Sequence, residues 1–124
     1  MPKLYILSAF ALSMIKDRGW IHIHIKEVAP EEAGAIVREA KAKGKDVISA
    51  VGHASTAQLM TKLLGVEVPV NRTVVTFEDG DEAIVFQLMI RLQEGQVLNE
   101  EELQQLLREG KIKLFHIIYS TKFY

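Results

Sequence analysis

Apolar and polar positions along this chain follow two rhythms, a period of two that marks strands and a period near 3.6 that marks helices. Lys3 to Leu7 is a short apolar run that predicts a buried strand. Ser8 to Lys16 reads as a loop with one or two helical turns. Trp20-Ile21-His22-Ile23-His24-Ile25 alternates strictly, so Ile21, Ile23 and Ile25 share one face of a strand and His22 and His24 the other. Pro30-Glu31-Glu32 opens a helix with proline and carboxylates in its first turn; it runs to about Lys43 and ends at Gly44. Asp46 to Val51 is a further apolar run, leading into a Gly52-His53 turn. Ser55 to Leu64 reads as a helix with Leu59, Met60 and Leu63 inward, capped by the hydroxyl of Ser55 or Thr56 and closed by Gly65.

Pro69 with Asn71-Arg72 marks a loop. Thr73 to Phe77 and Ala83 to Met89 are β-rich runs, and Glu78-Asp79-Gly80-Asp81 between them signals a hairpin. Asn99-Glu100-Glu101-Glu102 is a strong helix start, with Glu102 placed for a capping box, and that helix ends at Gly110. Ile112 to Tyr119 is a final, mostly apolar strand with His116 as an isolated polar position. About five strands and three or four helices in mixed order predict an α/β fold, with one mixed sheet flanked by helices and residues 1–124 forming a single small domain.

Composition narrows the function classes. A formal charge of −1 argues against broad binding to duplex DNA, which needs a basic face. A small anionic ligand held by a few placed arginines is compatible with it. With no cysteine there are no disulfides and no thiolate metal sites, as suits a reducing cytoplasm. The expected location is cytoplasmic, in the host cell if the gene is viral. The apolar stretch from Leu4 to Ile15 is broken by Ser8 and Ser13, and it is shorter than the ~20 residues a membrane span needs.

The most informative chemistry lies in Val51-Gly52-His53-Ala54-Ser55-Thr56-Ala57-Gln58. Histidine can give or take a proton near neutrality. The N–H groups and partial positive charge of a helix start suit a phosphate oxygen. Other candidates are Asn71-Arg72, Gln87, and Arg91 with Glu94, which would be neighbours on a helical turn. For each there is an ordinary alternative: a turn, a solvated cation or a surface ion pair. His22 and His24 could begin a metal site, but no third and fourth ligands accompany them, so no metal is expected. Triphosphate-loop, serine-elbow and zinc-protease motifs are absent.

Taken in order, Val51-Gly52-His53-x-Ser55-Thr56-x-Gln58-Leu59, Asn71-Arg72, Gln87 and Arg91-Leu92-x-Glu94-Gly95 resemble the signature of the small viral and mobile-element anti-CRISPR ring nucleases. The likeness begins at Leu7-Ser8-Ala9-Phe10 and covers nearly the whole chain. It implies a homodimer with a mixed α/β fold that destroys cyclic tetra-adenylate, the second messenger of type III CRISPR systems, without metal or cofactor. The implied products are linear di-adenylates ending in a 2′,3′-cyclic phosphate.

In that reading His53 is the general acid and Arg91 neutralises the phosphate. Glu94 orients His53 or Arg91, or contacts the ribose. Arg72, Asn71 and Gln87 meet phosphate or adenine, and Ser8, Phe10, Ser13, Gly52, Ser55 and Thr56 line the substrate site. The chain departs from the family where an Asn-Ala-Phe-Ser-like segment becomes Ser8-Ala9-Phe10-Ala11, a change that Ser13 could offset. The alternative is a non-catalytic module that sequesters a cyclic nucleotide or docks a partner protein.

Overall fold

A computed structural model describes residues 2–91 and 98–122. Five strands form one sheet: β1 (Leu4–Leu7), β2 (His22–Val28), β3 (Val47–Ser49), β4 (Glu82–Leu88) and β5 (Ile112–Ser120), in the spatial order β2-β5-β4-β1-β3. β1 pairs in parallel with β3 and β4, while β5 is antiparallel to β4 and β2. The sheet is therefore mixed, as the sequence predicts, and β1, β2, β3 and β4 share one direction.

Three helices, α1 (Pro30–Ala42), α2 (Ala54–Leu64) and α3 (Glu100–Arg108), bury one face of the sheet. Leu4, Ile6, Ile84, Phe86, Ile112 and Leu114 point into this layer and meet Val37, Met60, Leu64 and Leu103 from the helices. Each helix carries a narrow apolar stripe, and burying that stripe stabilises it more than its propensity does. α3 starts with the expected reciprocal cap: Glu102 N donates to Asn99 Oδ1 at 2.8 Å, and Asn99 N donates to Glu102 Oε1 at 3.1 Å. α1 and α2 approach closely at Gly34, where a Cβ would stand 2.1 Å from the Leu64 carbonyl oxygen. Only glycine fits there.

Among the described residues no α-helix covers the opposite face. Two straps of chain cross it instead, one around residues 10–15 and one around 73–77, burying Tyr5, Leu7, Val85, Ile117 and Tyr119 beneath Phe10, Val75 and Phe77. The expected hairpin is thereby corrected. Thr73 to Phe77 does not pair with β4; it contributes only an isolated parallel bridge, Phe77 to Ile15, with Phe77 N donating to Met14 O at 2.9 Å. Its alternation is real, since Val75 and Phe77 are buried while Val74 is exposed. That alternation records packing onto a sheet face, not membership of a ladder.

The turn at 78–81 is organised by the buried Asp81 carboxylate, which accepts from Lys3 N and Glu78 N, both at 2.8 Å. His116 is not isolated either. Its Nε2 lies 2.7 Å from Glu82 Oε1, and Lys45 bonds the other oxygen of the same carboxylate. Burial would push Glu82 up, but the hydrogen bonds from Lys45 and His116 outweigh it and hold the carboxyl below the ordinary glutamate value.

Candidate functional site

The parallel strands deliver their C-terminal ends to one edge of the sheet. β1 lies between β3 and β4, all three parallel, and open α/β sheets gather ligand-binding groups outside the carboxyl ends of such strands. Ser8 follows β1 directly and is half-buried. Gly52 and His53 follow β3, and Arg91 follows β4. Gln87 sits near the end of β4 with its side chain exposed on the strap face.

α2 begins one residue earlier than its hydroxyl residues suggest. Its N-cap is His53, in an extended conformation (φ −121°, ψ 131°), and the first helical bond runs from Ala57 N to His53 O at 3.0 Å. No side chain caps the helix. The expected capping by Ser55 or Thr56 is therefore corrected: both lie inside the first turn. The N–H groups of that turn point outward beside an exposed imidazole, which is the arrangement that receives an anion. Gly52 lies against the Arg72 side chain, whose Cγ would be 3.2 Å from a Cβ built there.

Arg72 and Asn71 belong to the same group. Arg72 Nε donates to Gly52 O at 3.1 Å, which places the guanidinium next to the residue before His53. Asn71 donates twice, from its backbone N to Val51 O at 2.8 Å and from Nδ2 to Ser49 O at 2.7 Å. Gly52, His53, Ser55, Thr56, Asn71 and Arg72 are thus drawn into one cluster. Ser8 stands beside it through the β1–β3 pairing, in which Ala50 N donates to Ile6 O at 2.9 Å. Gln87 and Arg91 reach the same edge on β4, and Arg91 is exposed.

Two residues are placed differently. Phe10 is half-buried with its ring centroid 5.7 Å from that of Phe77, so it packs into the strap-face core. Ser13 lies on the one-turn 3-10 helix Leu12–Met14, exposed and farther along the strap. Glu94 falls outside the described residues.

Sequence reasoning passed over two positions. Ser49 is a buried polar residue inside an apolar run, and its hydroxyl donates to Pro69 O at 2.6 Å. Lys113 is exposed on β5 directly opposite Gln87. The outward phase of Ile112-Lys113-Leu114 was its only signal. Among the described residues no group of three or more His, Asp or Glu side chains is placed to hold a metal ion. Among them, too, no helix is long and apolar enough to cross a membrane.

The chain is 42% identical over 95 residues to the uncharacterized protein ORF117 of Acidianus two-tailed virus, covering 77% of each. It is 38% identical over 104 residues to the uncharacterized protein 26 of Sulfolobus islandicus filamentous virus, covering 83% of each. Among solved structures it resembles B116 of Sulfolobus turreted icosahedral virus, with a TM-score of 0.84 and 31% identity over 93% of this chain and 97% of that one. The family model described as STIV B116-like matches residues 4–114, from β1 into β5 and across the whole cluster at the sheet edge. The chain belongs to this STIV B116-like family, whose relatives named above are all viral.

Proposed function

We propose that this protein is a metal-independent ring nuclease that cuts cyclic tetra-adenylate and so silences type III CRISPR signalling. The observation that carries the reading is the uncapped start of α2, where the N-cap His53 holds an exposed imidazole, with Arg72 anchored one residue away. The sequence signature shared with the anti-CRISPR ring nucleases supplies the substrate.

The chemistry asks little of the protein. In RNA the 2′-oxygen attacks the adjacent phosphorus, forming a P–O2′ bond while the P–O5′ bond breaks. The 2′-hydroxyl proton leaves to solvent, and the departing 5′-oxygen takes a proton from His53. One end becomes a 2′,3′-cyclic phosphate and the other a 5′-hydroxyl. Holding the ribose in line with the scissile bond supplies several kcal/mol. Proton donation by His53 adds ~10²–10⁴-fold.

The first-turn N–H groups of α2 and the guanidinium groups of Arg72 and Arg91 receive the phosphate charge, which is greatest in the transition state. Ser8 and Gln87 are placed for polar contacts with sugar or base. A two-fold homodimer would present two such sites to a ring of four equal nucleotides, giving two cuts and two di-adenylates.

Incubation with cyclic tetra-adenylate in EDTA tests the reading. Linear di-adenylates are the expected product, and an intact ring after hours with folded protein would sink it. Tight binding without product would favour a sequestering module instead. Replacing His53 by Ala should leave binding nearly unchanged and slow cleavage by ~10²-fold or more. Normal cleavage by that variant would remove His53 from the mechanism.

A further inference from the structure

β3 is a three-residue edge strand, and the chain leaves it through Ala50, Val51 and Gly52 before reaching His53. On the β1 side the last bond is that of Ala50 N to Ile6 O. Beyond it, the outer side holds the turn. The carbonyls of Ser49, Val51 and Gly52 accept from Asn71 Nδ2, Asn71 N and Arg72 Nε in turn. Behind them Ser49, only 5% exposed, ties the two segments together: its hydroxyl donates to Pro69 O and accepts from Val51 N at 3.3 Å. A carbonyl only accepts, so an amide donor at position 71 suits this contact where a carboxylate would not. The donor facing Ser49 is occupied within the protein.

We infer that Asn71, braced by the buried Ser49, is a positioning residue that aims His53, and that its amide donor serves the turn and not the ligand. This role rests on the ring-nuclease reading. The brace fixes the direction in which the chain enters α2 and therefore where the imidazole stands relative to the departing oxygen. A shift of about 1 Å at a reacting group can cost ~10²-fold in rate while leaving binding energy elsewhere intact. Ser49 gives the sharper test because it is 5% exposed and its hydroxyl is engaged within the chain, by Pro69 O and Val51 N.

The experiment measures single-turnover cleavage and binding of cyclic tetra-adenylate for Asn71→Ala and Ser49→Ala, each in the wild-type and the His53→Ala backgrounds. Amide hydrogen exchange at Val51, Gly52 and His53 is read in parallel. Asn71 is exposed, so its variant leaves the core intact. Both variants should lose roughly tenfold to a hundredfold in cleavage rate with affinity changed by less than about twofold.

Neither should lose more once His53 is gone, because an effect exerted through His53 vanishes with it. Exchange at Val51, whose N–H donates to the Ser49 hydroxyl, should quicken in both. Weakened binding with an unchanged rate would overturn the inference and make Asn71 a ligand contact. An equal further loss in the His53→Ala background, or unchanged exchange, would also overturn it. A wild-type protein that leaves the ring intact would overturn the nuclease reading and this catalytic role with it, while the exchange data would still decide whether the brace orders the turn.

Discussion

Replacing Gly34 with Ala separates local helix chemistry from tertiary packing, because the two predict opposite signs. Gly34 lies inside α1, where alanine is favoured over glycine by about 1 kcal/mol. On propensity alone Gly34→Ala would stabilise the protein. The added methyl, however, would stand 2.1 Å from the Leu64 carbonyl oxygen, where real Cβ contacts essentially never fall below 3.0 Å. The obstacle is backbone and cannot rotate away, so α1 and α2 must separate by about 0.9 Å, the difference between those two distances.

Separating the helices loosens the contacts of Ala33, Val37, Met60 and Leu64 and strains the 3.3 Å bond from Arg38 Nη1 to Leu64 O. Overpacking of this kind costs about 3 kcal/mol at its upper end, which leaves a net loss of about 2 kcal/mol after the helix gain. For a chain of this size that lowers the melting temperature by about 6–10 °C. Thermal and urea unfolding followed by circular dichroism would measure it. Ala35→Gly, at an exposed position on the same helix, is the control and should cost only its propensity, about 1 kcal/mol. If Gly34→Ala melts at or above the wild-type temperature, the close approach of α1 and α2 is not as described.

Two further outcomes are expected. The Glu82 carboxyl titrates lower in the folded protein than in the unfolded chain, so its contribution to stability is full above the unfolded value and fades as the pH falls through the folded one. Glu82→Gln should therefore cost about 1–2 kcal/mol near neutrality and shrink toward no difference in strong acid; urea midpoints across the acid range would show the two curves converging, and parallel curves would contradict the assignment. Asn99→Ala removes the reciprocal cap of α3 and should destabilise by about 1 kcal/mol, whereas Asn99→Asp or Asn99→Ser should retain most of it; equal melting of all three variants would mean that the cap contributes nothing.

Much of the fold was legible because its signals are local. Pro30-Glu31-Glu32 and Asn99 with Glu102 announce helix starts through groups within one turn, and the alternation of residues 20–25 states which side of β2 is apolar. Where the deciding partner is distant, local signals misled. Thr73 to Phe77 alternates like a strand, but alternation reports one-sided burial, and only tertiary structure reveals that the buried side rests on a sheet face. His116 looked isolated because Glu82 and Lys45 lie far from it in sequence.

At the site, hydroxyl side chains are the favoured caps, which pointed to Ser55 or Thr56. Yet the 69–72 segment holds the chain at Val51 and Gly52, so the helix turns in at His53 before either hydroxyl. The residues were legible, but the bracing that joins Ser49 to Asn71 is non-local and was not.

The strand order also dictates when the protein can assemble. Among the described strands β2 is the second along the chain, yet β5, the last of them, is its only neighbour in the sheet, with His22 opposite Ser120. A nascent chain emerging from the ribosome thus carries an isoleucine-rich strand whose partner among the described strands emerges only after α3. Closing so long a loop makes folding slow relative to helical bundles of similar size. Loss of β5 would orphan β2 and leave β4 paired only with β1 among the described strands, so a truncation after α3 should yield an aggregation-prone product and not a smaller working domain.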